Sequence, residues 1–116
     1  MTTTLYGISN CDSVKKAQKW LQQNNLSYTF HDYRKDGLDK NLIESFLAQI
    51  AWSDLLNKRS TSFRQLSTEQ KENLSVETVI ELFIEFPTLI KRPLLIHNNQ
   101  YQLGFNIGNY NTLFSL

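Results

Sequence analysis

The chain has 116 residues, 41% of them hydrophobic and 20% charged, and a formal net charge of +1. That length suits one core and a single domain over residues 1–116, and the composition excludes disordered, collagen-like and membrane-embedded classes. So small a charge supplies no field for nucleic acid or acidic lipid, and a lone cysteine cannot form an internal disulfide, which points to a reducing compartment, by default the cytoplasm.

The opening "MTTTLYG" lacks the cationic and apolar regions of a secretory leader, and no stretch nears the roughly 18 apolar residues of a membrane span, so neither export nor insertion is expected. Residues 2–6 are rich in β-branched and aromatic types and end at Gly7, predicting a short strand and then a loop. From an N-cap at Asp12 or Ser13, Val14, Ala17, Trp20 and Leu21 recur at helical spacing until Asn24-Asn25, an amphipathic helix of about three turns. Leu26, Tyr28 and Phe30 alternate with polar residues and predict a second strand. Strand, helix and strand within about 30 residues make a βαβ unit, with parallel strands and a right-handed crossover.

"FHDYRKDGLD" carries alternating charges and an Asp-Gly turn signal, and reads as the strand exit and a hinge. Over residues 39–86 the apolar positions Leu42, Ile43, Phe46, Leu47 and Ile50, then Leu55 and Leu56, then Val76, Val79, Ile80, Leu82 and Phe83 keep helical spacing. This stretch is expected to be all-helical, and Trp20 and Trp52 are expected in cores. "IKRPLLIHNNQYQLGF" predicts a β-hairpin turning at His97-Asn98-Asn99, and a helix over about 109–116 closes the chain.

This order, βαβ, helices, then ββα, predicts an α/β chain of the thioredoxin-like fold, with a core of about 1–37 and 88–116 and an all-helical insertion of about 38–87. Pro93 falls just before the third strand. In that fold a proline here is typically cis and faces the active-site cysteine, and only an X-Pro bond takes up cis cheaply.

Cys11 then lies between the first strand and the first helix, where unpaired N–H groups and the positive end of the helix dipole favour a thiolate. Lys15 and Lys16 add positive charge, and Asp12 opposes it. The competing reading is a buried, inert cysteine. An attacking thiolate needs donors for the negative charge of an oxyanion or carboxylate; Arg92 in "KRP" and Arg59 in "LLNKRSTSFR" are the candidates, because a guanidinium contacts such groups in bidentate fashion. His31 and His97 read as structural or surface residues, and the sequence offers no metal-ligand cluster or Gly-rich phosphate loop.

Taken together, "LYGISNCDSVKKAQKWL", "HDYRKDGL", "LLNKRSTSFRQL" and "FPTLIKRPLLI" resemble the ArsC/Spx family of thioredoxin-like proteins, most closely its short single-cysteine, YffB-like branch. The resemblance runs from the first strand to "LGF" after the hairpin. It implies a catalytic Cys11 and an anion-binding Arg92, with glutathione as co-substrate and glutaredoxin as a possible partner. Where arsenate reductases of the family carry a basic residue at the helix start, this chain has Lys15; where they carry an Arg after the Leu-Leu pair and a third Arg near the end, it has Asn57 and Phe105. Where the Spx regulators, which bind RNA polymerase, carry Cys-x-x-Cys, the second position is Val14.

The function expected is a glutathione-dependent monothiol reductase, an oxidoreductase in which Cys11 attacks a mixed disulfide or similar acceptor and an external thiol resolves the adduct. A non-catalytic Spx-like module that binds RNA polymerase or another partner, and an arsenate reductase, are the two alternatives. No bound cofactor, metal, direct nucleic-acid contact or membrane contact is expected, and the chain is read as a monomer.

Overall fold

The computed structural model describes residues 2–116. In chain order the elements are β1 (Thr3–Gly7), α1 (Asp12–Gln23), β2 (Thr29–Asp32), α2 (Lys40–Leu47), α3 (Trp52–Leu55), α4 (Thr61–Arg64), α5 (Thr68–Glu72), α6 (Val76–Glu85), a 3₁₀ turn (Pro87–Leu89), β3 (Leu94–His97), β4 (Gln100–Leu103) and α7 (Ile107–Leu113). This is a thioredoxin-like α/β fold. The chain divides into two compact units: one runs to Gly37 and resumes at Arg92, and the other is Leu38–Lys91.

The first unit is built on a sheet ordered β2-β1-β3-β4, with β1 and β2 parallel and the other two pairings antiparallel. Strand alternation points Leu5, flanked by Phe30 on β2 and Leu95 on β3, to the face that α1 and α7 cover. Its core joins Leu5 and Leu95 to Val14, Ala17, Trp20 and Leu21 of α1, the positions that helical spacing selects, and to Tyr110 of α7. The Trp20 and Tyr110 rings meet edge-on, 5.4 Å apart.

Three boundaries differ from expectation. The second strand starts at Thr29, not near Leu26, because the Leu26 N–H is committed to the Leu21 carbonyl at 3.0 Å as α1 unwinds; Leu26 and Tyr28 still pack on the core from this connection. The hairpin turns on Asn98 and Asn99 alone, at φ 50° and 63°, left-handed values that asparagine tolerates and that suit a two-residue type I′ turn; His97 pairs with Gln100. The last helix begins at Ile107 because Asn106 caps it, its Oδ1 accepting from the Asn109 N–H at 3.0 Å.

In the second unit, α2 packs on α6, burying Ile43, Phe46, Val79 and Phe83. Asp39 caps α2, and capping boxes at Ser67/Gln70 and Ser75/Thr78 start α5 and α6. The stretch is not all-helical: Leu56 is extended and bridges Ile90, the Asn57 N–H donates to the Leu89 carbonyl at 2.7 Å, and the Lys91 N–H donates to Leu55 at 2.9 Å. Trp52, at the start of α3, is only half-buried. Among the described residues no helix is long and apolar enough to cross a membrane.

Candidate active site around Cys11

After β1 the chain turns tightly, the Cys11 N–H donating to the Ile8 carbonyl at 3.2 Å, and α1 begins when the Lys15 N–H takes the Cys11 carbonyl at 3.0 Å. The residue that caps α1 is therefore Cys11, in extended conformation, rather than Asp12 or Ser13. Its sulfur occupies the place where a serine or asparagine cap usually puts oxygen. The sulfur closes no full capping hydrogen bond, yet the Val14 and Ser13 amides face it closely enough to favour its charged form.

The balance of forces on this thiol is legible. Burial works against the thiolate and is the largest single influence, but it is outweighed by the Val14 N–H, by Arg92 acting both as donor and through its charge, and by the Ser13 N–H. The thiol is held below its ordinary range, and Cys11 is only half-buried, so the sulfur is both activated and reachable.

Arg92 stands at the entry to β3, and the Arg92–Pro93 bond is cis. Pro93 is buried, and its carbonyl accepts from the Gly104 N–H at 2.9 Å. The structure thus brings Cys11, Arg92 and Pro93 into one unit. The Lys15 side chain is exposed and is not among the groups that lower the thiol, since it projects outward from the first turn while its backbone serves the helix. Arg59 belongs to the second unit, exposed, with its N–H donating to Asn57 Oδ1 at 3.1 Å.

Sequence reasoning missed the supports of the site. Asp32 ends β2 and is only 3% exposed. Burial opposes its ionisation, but the N–H groups of Arg34, Ser9 and Lys35 and the Ser9 hydroxyl more than offset it, holding the carboxyl below the usual carboxylate range. The Arg34 N–H lies 2.8 Å from Asp32 Oδ1. Asp32 therefore ties the strand exit to Ser9, inside the turn that delivers Cys11. An Asx turn in "HDYRKDG" was the available clue.

Beside it, Tyr33 is 3% exposed, and its N–H continues the β1 pairing by donating to the Gly7 carbonyl at 2.9 Å. Burial and the neighbouring Tyr6 drive its phenol well above the ordinary range, and the nearby Arg92 charge pulls the other way.

The departures from the family motifs have structural occupations. Val14 is fully buried in the core, and Phe105 packs edge-on against Tyr110, with ring centres 5.0 Å apart. Both histidines are engaged: His31 Nε2 with the Gly37 carbonyl and His97 Nδ1 with Thr3 Oγ1, each at 2.7 Å. Among the described residues no group of three or more His, Cys, Asp or Glu could hold a metal ion.

Known proteins resemble this chain in sequence and in fold. The ArsC family model matches residues 6–113. An uncharacterised protein of Haemophilus influenzae is 45% identical over 112 residues, covering 97% of this chain and 98% of its own. Global transcriptional regulator Spx 1 of Lactococcus lactis is 29% identical over 104 residues, 88% of this chain and 80% of the regulator. The solved structure of a YffB protein, 38% identical, superposes with a TM-score of 0.91 over 97% of this chain and 98% of that one.

Proposed function

The chain belongs to the ArsC family, and on that premise we propose that it is a glutathione-dependent monothiol reductase of the cytoplasm with Cys11 as nucleophile. One observation carries the reading: the half-buried sulfur faces two helix-opening amides and a guanidinium that together favour its thiolate.

In the first step the Cys11 thiolate attacks the glutathione sulfur of a mixed disulfide. A Cys11–S–S–glutathione bond forms, the substrate S–S bond breaks, and the substrate leaves as thiolate to be protonated by solvent. In the second step a glutathione thiolate attacks the sulfur of the adduct's glutathione, giving oxidised glutathione and free Cys11. Net, the mixed disulfide and one glutathione thiolate give the substrate thiolate and oxidised glutathione: the substrate sulfur gains one electron, the entering glutathione sulfur loses one, and the other glutathione sulfur stays at the disulfide level. With a lone cysteine in the chain, the resolving thiol comes from outside, from glutathione or a glutaredoxin. Arg92 holds a carboxylate or oxyanion of the incoming group.

Arsenate fits less well. A dianion asks for several guanidinium contacts, each worth about 1.5–3 kcal/mol, and at two of the family's positions this chain has Asn57 and Phe105, a ring packed against the core. The likeness to an Spx regulator favours a second reading, a non-catalytic module that binds RNA polymerase. Its redox control would require another chemistry, since Val14 stands at the second position of Cys-x-x-Cys.

Intact mass spectrometry after incubation with oxidised glutathione tests the proposal. The expected result is one glutathione adduct per chain, absent from Cys11→Ser and quickly reversed by free glutathione. No adduct, or undiminished glutathione-linked turnover in Cys11→Ser, would sink the enzyme reading, and retention of RNA polymerase on the immobilised protein would then favour the module.

A further inference from the structure

Tyr33 is unusual among the buried side chains. Its hydroxyl is sealed from solvent and has no hydrogen-bond partner, and among the described residues the other such tyrosine is Tyr110. The two differ in surroundings. The Tyr110 phenol lies in the core with Trp20 and Phe105, and burial alone acts on it. Tyr33 stands within the electrostatic reach of Arg92, whose guanidinium also faces Cys11. Buried hydroxyls almost always find a partner, so an unused donor beside the cation of a candidate anion site suggests a use that involves a ligand.

We propose that Tyr33 is a second donor of the anion site, its phenolic O–H held in reserve for the carboxylate or oxyanion that Arg92 binds next to Cys11. This rests on the reading of Arg92 as an anion-holding residue and narrows the substrate class. The acceptor carries its negative group within a few bonds of the attacked atom, because the same guanidinium touches both the thiol and the anion. A neutral phenol suits the task, since it donates a hydrogen bond without adding a charge that must be desolvated when the site is empty.

Alkylation of Cys11 tests this without any assumption about glutathione. In the probe reaction the thiolate sulfur forms a bond to the reagent's CH2 carbon and iodide leaves. Iodoacetate carries a carboxylate on that carbon, and iodoacetamide is the neutral isostere. The ratio of their rate constants at one pH cancels thiol ionisation and reports the anion site alone.

The wild-type ratio is expected to exceed that of free glutathione by at least tenfold. Tyr33→Phe is expected to lower it five- to tenfold, as befits one charge-assisted hydrogen bond to a partly solvated anion. Arg92→Gln is expected to bring it to the free-thiol value. Tyr110→Phe, which deletes the other unpartnered hydroxyl, is expected to leave it unchanged. If Arg92→Gln lowers the ratio and Tyr33→Phe does not, the role of Tyr33 is overturned while the Arg92 reading stands. If Arg92→Gln leaves the ratio unchanged, both fall. An equal drop in Tyr110→Phe would assign the effect to loosened packing and also overturn the proposal.

Discussion

A Cβ placed on Gly7 would stand 2.6 Å from Cγ2 of Val14. The end of β1 and the first turn of α1 thus touch without room for a methyl group, and Val14 also carries the amide that does most to favour the Cys11 thiolate. Gly7→Ala must push that turn outward. It is expected to cost about 1–3 kcal/mol of stability, as overpacking does, and to move the pH midpoint of Cys11 alkylation upward. Urea denaturation and iodoacetamide rates across pH measure the two, and a variant unchanged in both would show that the contact is not tight.

Arg92 lowers the Cys11 thiol as donor and as charge. In the wild type the alkylation midpoint is therefore expected below the reference of about 8.5, and Arg92→Gln is expected to raise it. The linkage sign follows: a thiol whose folded-state value is depressed adds stability that is present above the unfolded value and lost as pH falls through the folded one. Stability compared between wild type and Cys11→Ser should show that component vanish in the variant.

Asp32 holds Ser9, Arg34 and Lys35 through a carboxylate that is almost fully buried. Asp32→Ala leaves those donors without their acceptor and is expected to cost about 2–4 kcal/mol in urea denaturation. Its folded-state value is depressed, so its contribution is present above the unfolded value of about 3.9 and lost as pH falls below it. The acid limb of the stability curve should be shallower in Asp32→Asn. An unaltered limb would mean that other carboxylates govern acid unfolding.

Tyr33→Phe removes a buried hydroxyl that no group satisfies. Stability is expected to stay level or rise by up to about 1 kcal/mol, whereas Tyr33→Ala is expected to lose about 3–5 kcal/mol through the cavity it leaves. Thermal unfolding measures both, and a clear loss in Tyr33→Phe would reveal a partner for the hydroxyl in solution.

Much of the fold was legible in the chain because periodicity is a local property. Val14, Ala17, Trp20 and Leu21 fixed the buried stripe of α1, and the strands flanking Asn98-Asn99 had to meet in a hairpin whatever else the chain did. The position of Cys11 between strand and helix is likewise a matter of sequence order, and so is the adjacency of Arg92 to Pro93.

The tertiary structure decided what depends on residues distant in sequence. That Arg92 faces the Cys11 sulfur, that Asp32 reaches Ser9 and that Tyr33 lies near that arginine all follow from the strand order β2-β1-β3 and the register of its pairings. Register comes from the summed packing of one sheet face, so no short window of sequence contains it. The same summed packing set Phe105 against the core and left Leu56 extended, where local pattern alone read helix.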